Sequence, residues 1–280
     1  MTQSANPLKQ YFRQPAIYLQ LPSNGEFWPE GSIDMPSNKQ LPVLPMTAID
    51  EITYRTPDAL FNGQAVVNVV QSCIPDIKDA WAIPNSDINA ILTAILIASY
   101  GHDMEINTRC PTCANVDDYT LDLRSVLEQL KMPDFKTTVK HGDLEISFRP
   151  INYAAQNETN ALQFDEQRIL QMLPGSEIDE KEKILRLNEA LKKITAITVQ
   201  ALKHSISSIR TPQAIVSEAV HIEEFLNNCD RILFSKIRDH ILNIRADSDL
   251  KPLLIKCAEC SAEYEQPLTL DMTSFFGAAS

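Results

Sequence analysis

The sequence predicts an α+β fold, mostly helical, with short β-hairpins, two of which end in CxxC turns that meet at one shared site. Three observations predict it. Apolar residues recur at helical spacing over long stretches, most clearly over residues 179–206. Alternating residues flank two Cys-x-x-Cys pairs, Cys110/Cys113 and Cys257/Cys260. The chain is also long enough, at 280 residues and 44% hydrophobic, for a sizeable core in one or two domains.

Four segments follow from a pass along the chain. Residues 1–50 form an extended or β N-terminal segment, rich in Pro, Asn and Ser. Ile17-Tyr18-Leu19-Gln20-Leu21 reads as a strand and Pro22-Ser23-Asn24-Gly25 as a turn, since Asn-Gly accepts positive φ. Phe27-Trp28 is expected to return as the paired strand. Residues 29–45, with Pro29, Pro36, Pro42 and Pro45, are expected to run extended over a surface.

Residues 51–125 read as a helical module. Thr56-Pro57 supplies an N-cap and a first-turn proline. Short helices are expected over 57–61, 63–72 and 75–80, and a more apolar one over 87–100, closed by Gly101. The module ends in a strand over 104–109, the first CxxC turn and a return strand over 119–123.

Residues 126–206 carry a short helix continuing from 124–130, then a hairpin whose turn is His141-Gly142-Asp143, then helices over 151–173 and 179–206 with Pro174-Gly175-Ser176 between them. In the longer helix Ile184, Leu187, Leu191, Ile194, Thr198 and Ala201 recur at spacings of three and four. Glu182, Arg186, Glu189, Lys192 and Lys193 take the other face. Such a helix reads as a bundle member, with a partner-binding surface as the alternative. Residues 207–280 form a second helical module, with helices over 212–228 and 230–245, ending in the second CxxC turn and a C-terminal tail.

The two cysteine-bearing modules echo one another. Arg55-Thr56-Pro57-Asp58-Ala59-Leu60 stands 55 residues before the first Cys, and Arg210-Thr211-Pro212-Gln213-Ala214-Ile215 stands 47 before the second. The return strands close on Leu121-Asp122-Leu123 and Leu270-Asp271-Met272. A degenerate duplication explains the shared order of elements, and coincidence in a short motif is the alternative.

Composition narrows the function. A net charge of −12 and a pI near 4.9 oppose binding to nucleic-acid phosphates, and no basic run offsets them. Residues 88–100 are apolar but too few to span a bilayer, and MTQSANPLKQYFRQ lacks the apolar core of a signal peptide. A cytosolic protein is therefore expected. In a reducing compartment, paired cysteines point to metal rather than disulfides. Cys110, Cys113, Cys257 and Cys260 supply four thiolates, the closed tetrahedral shell of a structural Zn2+ site, so the expectation is two CxxC zinc knuckles sharing one ion. A redox CxxC, an iron–sulfur cluster and a pair of unmetallated knuckles are the alternatives. Cys73 and Cys229 read as buried apolar residues.

Phosphate loops, HExxH and GxSxG are missing from the sequence, and the histidines, among them His102 near the first CxxC, are scattered. No catalytic residues are assigned and an enzyme is not expected.

Tyr11-Phe12-Arg13-Gln14-Pro15-Ala16-Ile17-Tyr18, Leu21-Pro22-Ser23-Asn24-Gly25-Glu26-Phe27-Trp28, Pro45-Met46-Thr47-Ala48-Ile49-Asp50-Glu51, Arg55-Thr56-Pro57-Asp58-Ala59-Leu60-Phe61-Asn62-Gly63, Val70-Gln71-Ser72-Cys73-Ile74-Pro75 and the first CxxC turn together resemble the baseplate hub proteins of T-even-type contractile-tailed phages. The resemblance is strongest over residues 11–123. The helix leading to Asp230-Arg231 and the second CxxC turn resembles phage tail-assembly chaperones, and Ser274-Phe275-Phe276-Gly277 is similar to the family as well. The resemblance implies a non-enzymatic part in baseplate hub assembly, as hub subunit or assembly chaperone. It implies other baseplate proteins as partners and a place in the host cytoplasm during assembly or in the virion tail. Phe275 and Phe276, near the C-terminus, are candidate partner-binding residues, with packing on the protein's own core as the alternative. A zinc-ribbon nucleic-acid-binding regulatory factor is the competing reading of the cysteines, and a thiol redox protein a third.

Overall fold

The computed structural model describes residues 6–54, 63–172 and 179–268. Helix accounts for 48% and strand for 19%, so helix outweighs strand as expected. In chain order the elements are β1 (Ile17–Leu19), β2 (Leu41–Val43), α1 (Ala48–Tyr54), α2 (Gln64–Cys73), α3 (Asn85–Tyr100), β3 (Asp103–Arg109), β4 (Val116–Asp122), α4 (Leu123–Gln129), β5 (Val139–His141), β6 (Leu144–Phe148), α5 (Tyr153–Met172), α6 (Glu180–Ser205), β7 (Ile206–Arg210), β8 (Ile215–Val216), α7 (Ala219–Asn228), α8 (Arg231–Ser248), β9 (Leu253–Lys256) and β10 (Glu263–Gln266).

The first core forms around α3, which is apolar on nearly every face and so must be enclosed. Ile91, Ile95 and Ala94 meet Val66, Val69 and Val70 of α2 and Leu19, Leu41 and Val43 of the β1–β2 pair. Gly101, at φ 92°, ends the helix as expected, and its N–H reaches the Ile97 carbonyl. Asp87 lies fully buried in the first turn of α3. It accepts hydrogen bonds from Ser23 N at 2.9 Å, from Trp28 Nε1 at 2.8 Å and from Ser23 Oγ. Burial pushes its pKa up against those three bonds. The bonds fix the turn in which Asn24 and Gly25 take φ of 53° and 88°, as the Asn-Gly pair foretells.

Arg13 ties the N-terminal segment down. Its guanidinium donates to the Pro45 and Ser72 carbonyls, both at 2.7 Å, and pairs with Asp50 at 3.3 Å. Asp50 also accepts from Thr47 N and Oγ1 at the start of α1.

The second core lies between the antiparallel sheet β5-β6-β7-β8 and the C-terminal half of α6 with α7 and α8. Ile146, Phe148, Ile206 and Ile209 meet Leu202, Ile222, Leu226, Leu233 and Ile237 there. Gly142, at φ 56°, makes the tight turn between β5 and β6.

Several local expectations need correction. Phe27-Trp28 is not a strand: β1 pairs with β2, Tyr18 opposite Pro42, and Phe27 takes φ 68°. Residues 29–45 are not a surface strap, since Leu41 and Val43 are wholly buried and Ile33 bridges to Ile77. That bridge also removes the helix expected over 75–80; a single 3-10 turn (Ala80–Ala82) follows, capped by Asp79. The helix expected from 212 begins at Ala219. Thr211 and Pro212 instead turn β7 into β8, with Thr211 N bonded to Ala214 O at 2.8 Å and Thr211 Oγ1 accepting from Ala214 N at 3.0 Å. The Arg-Thr-Pro echo is therefore not a helix start in its second copy, although both CxxC hairpins do follow two helices. The helix expected over 57–61 and the break at Pro174-Gly175-Ser176 lie outside the described residues.

The long helix also differs from a simple bundle member. Ala190, Ile197, Val199 and Leu202 are its buried apolar residues, whereas Ile184, Leu187 and Leu191 stand exposed. α5 packs beside the expected stripe rather than on it, with Glu166 joined to Lys193 at 2.9 Å.

Candidate metal centre

Two hairpins carry the cysteines, and period-2 alternation aims them inward. In β3 the buried or half-buried positions are Met104, Ile106 and Thr108, and Cys110 continues that side. In β9 they are Leu253 and Ile255, continued by Cys257. The last pairs, Arg109 with Val116 and Lys256 with Glu263, leave loops 110–115 and 257–262 of equal length.

The loops match bond for bond. Cys110 N donates to Asn115 O and Cys257 N to Ala262 O, both at 2.9 Å. Ala114 N reaches Cys110 O at 2.9 Å, and Ser261 N reaches Cys257 O at 3.0 Å. Ala114 and Ser261 sit in the left-handed region at φ 59° and 57°. That conformation is uncommon for a residue with a Cβ, and here it recurs at the same place in both turns.

The four sulfurs lie within 4.8 Å of one another. Cys110 Sγ is 3.6 Å from Cys260 Sγ, and Cys113 Sγ is 3.6 Å from Cys257 Sγ, so the close pairs run between hairpins. A disulfide needs about 2.05 Å. Four thiolates at about 2.3 Å from one tetrahedral ion stand roughly 3.8 Å apart. The donor set and its spacing thus fit a thiophilic cation. Cys110 and Cys257 are buried, and Cys113 and Cys260 face outward.

Electrostatics point the same way. The Cys113 and Thr112 N–H groups hold the Cys110 thiol down to about 6. The Asn115 N–H favours the Cys113 thiolate, but the Cys260, Cys257 and Cys110 sulfurs around it push Cys113 up to about 12. Four sulfurs this close cannot all ionise unless a cation sits among them.

Two further contacts join the hairpins. Thr108 Oγ1 donates to Asp117 O at 3.2 Å, which leaves Tyr264 OH to donate to Thr108 Oγ1 at 2.9 Å. Below them Leu96, Leu121, Leu123 and Val126 pack with Leu250, Leu253 and Leu268. Tyr264 escaped the sequence reading; its inward position opposite Ile255 is the signal that marks it.

His102 is not part of the site. It precedes β3 at the base of the hairpin, eight residues and so roughly 26 Å from Cys110 at about 3.3 Å per residue, and lies 3.6 Å from Asp103. Cys73 is buried, and burial pushes its thiol up to about 12. Cys229 is half-buried, with its Sγ against Leu226 O. Phe275 and Phe276 lie outside the described residues.

A family model described as "T4 bacteriophage base plate protein" matches residues 33–277. The chain belongs to this family. The match takes in both CxxC turns and most of the chain. The resemblance read from residues 11–123 holds at the level of the phage baseplate; the match leaves out its first part, residues 11–32, and runs on past it to residue 277. Comparison with curated proteins and with solved structures gives no match. No helix among the described residues of this baseplate protein is long and apolar enough to cross a membrane.

Proposed function

We propose that the chain is a non-enzymatic component of phage tail baseplate hub assembly. It acts through protein–protein contacts, as assembly chaperone or hub structural subunit, and carries one structural zinc ion. The family match over residues 33–277 carries the reading. Membership of a baseplate family supports other baseplate proteins as partners, the host cytoplasm as the place of assembly and the virion tail as a destination.

Cys110, Cys113, Cys257 and Cys260 would hold the ion. Zinc is the proposed metal because four thiolates suit it and it has no geometric preference of its own. Four protein ligands leave no position for a substrate, which supports a structural role. The ion would supply positive charge to the crowded sulfurs and link residues that stand 144 positions apart in the chain. The acidic balance of the chain supports protein rather than nucleic-acid partners. The C-terminal Phe275 and Phe276 are proposed as partner contacts.

Two measurements test the reading. Elemental analysis of the purified protein is expected to give one zinc per chain, with four thiols released to a thiol reagent only after a chelator is added. Full zinc content and an unchanged Tm in Cys260→Ser would overturn the shared site. Mass spectrometry of purified particles beside infected-cell lysate separates the two forms of the role. Absence from particles removes the structural-subunit form and leaves the chaperone.

A further inference from the structure

We infer that the groove beside the metal centre is the seat of the chain's own segment after Leu268, with Leu270 and Met272 filling it. The inference goes beyond the baseplate role proposed above and does not rest on it.

The first observation is the groove. Leu121, Val126 and Leu130 come to it from the first half of the chain, and Leu250, Leu253 and Leu268 from the second, around a space of about 530 Å3. Clefts of that size with mainly apolar walls hold ligands. The rim carries Lys131 and Lys251 with Glu128, Asp134 and Asp249. Both signs of charge are present, so apolar pattern and proximity select the occupant.

The second observation is where the chain leaves the described residues. It does so at Leu268, which itself lines the groove, and residues 269–280 follow. The approach to that point alternates. Tyr264, Gln266 and Leu268 are half-buried, whereas Glu263, Glu265 and Pro267 are exposed. Tyr264 bonds Thr108 of the first hairpin, so the half-buried side is the side of the groove. The same period, carried on, gives Leu270 and Met272 to the groove and Thr269, Asp271 and Thr273 to solvent. The sequence thus keeps apolar residues in phase with the groove for two further steps, until Ser274.

The first hairpin carries the same continuation in completed form. Leu121 stands eleven residues after Cys110, as Leu268 does after Cys257, and Leu270 matches Leu123. Leu121 and Leu123 are 6% and 3% exposed. A segment tethered within a few residues of its seat also meets it at an effective concentration on the order of millimolar, which favours it over a free segment of like composition. Phe275 and Phe276 fall past Ser274, where the alternation stops, and stay available for the partner contacts proposed above.

The test uses the full-length, metal-loaded protein. With Leu, Val and Met methyl groups labelled, nuclear Overhauser contacts are expected from Leu270 and Met272 to Val126 and Leu250. Their absence from the native protein overturns the proposal. A synthetic peptide spanning residues 267–274 supplies a competition, read by fluorescence anisotropy at physiological salt. It is expected to bind the double variant Leu270→Asp, Met272→Asp at least about tenfold more tightly than the native protein, whose groove its own segment already fills. Circular dichroism checks that the variant keeps its helix content. Equal binding to both proteins, or binding to neither, overturns the proposal. Sedimentation velocity over a concentration series covers a second copy: a native dimer that the double variant dissolves assigns the groove to the segment of another chain and overturns the proposal as well. None of these readouts is zinc content or particle composition, which test the baseplate role separately.

Discussion

The two CxxC hairpins have the same turn on unequal supports. β3 and β4 run for seven residues each, whereas β9 and β10 run for four. The first hairpin is tied at its base, where Leu123 N donates to His102 O at 2.8 Å and Asp122 caps α4. Leu127 of α4 and Leu130 just after it in turn pack against the first core. The second hairpin buries Ile255 and Cys257 but leaves Leu254 68% exposed. Among the described residues, its links to the first are the sulfur cluster, the Thr108–Tyr264 bond and the Leu250, Leu253 and Leu268 contacts. One ligand turn therefore grows out of a finished core, and its twin relies on the other. A metal shared between them, as proposed above, would stabilise the second far more than the first.

Removing the metal gives the largest expected effect. Structural zinc contributes on the order of 10 kcal/mol to the folding of small zinc-binding peptides. Chelation, or Cys257→Ser, is expected to cost a substantial part of that here. Amide exchange followed residue by residue should then show 253–266 losing protection while 103–109 and 116–122 keep most of theirs. Equal loss in both hairpins would break the comparison.

Next come paired core truncations. Leu121→Ala and Ile255→Ala each remove a buried side chain and should each cost about 2–5 kcal/mol. Leu121→Ala is expected to lower the Tm of the metal-free protein, because the first hairpin stands without the metal. Ile255→Ala should act mainly on the loaded protein, read as weaker zinc retention in a chelator competition. An unchanged zinc affinity in Ile255→Ala would show that the second hairpin has support of its own.

A smaller effect follows from Tyr264→Phe. It removes one donor to Thr108 Oγ1 while Thr108 keeps its bond to Asp117, so a cost of about 1 kcal/mol is expected in chemical denaturation. Thr108→Val should cost more, since it removes both bonds.

The smallest effect lies in the acid limb. The Arg124 side chain and backbone N–H hold Asp122 down to about 2, below its usual 3.8. A carboxylate lowered on folding stabilises the protein above its unfolded pKa and loses that contribution as pH falls through the folded one. The Tm advantage of the native protein over Asp122→Asn should therefore fade between about pH 4 and about pH 2. An unchanged difference across that range would remove Asp122 from the first hairpin's support.

What the sequence made legible was local. The four cysteines, the Gly101 helix end and the Asn24-Gly25 and Gly142 turns each follow from chemistry within a few residues. The unequal support was not legible, because it depends on distant pairings. β1 finds β2 across a connection of more than 20 residues, and of the nearer Phe27-Trp28 pair, Trp28 bonds Asp87 and Phe27 meets Phe135 instead. Thr-Pro suits a helix start and a β-turn equally; at 211–212 the neighbouring β7 decides. The α6 stripe was correctly read as amphipathic, but periodicity alone does not say that α5 would pack on another face.

The separation of the cysteine pairs has a consequence in time. At synthesis rates of about 5–20 residues per second, Cys257 follows Cys113 out of the ribosome by roughly 7–30 s. Throughout that interval Cys110 and Cys113 form half a ligand set, too few donors to close a tetrahedral shell. A chain that stops short of Cys260 never completes it. The finished cluster therefore records that synthesis has passed Cys260, the end of a CxxC turn that begins 144 positions after Cys113.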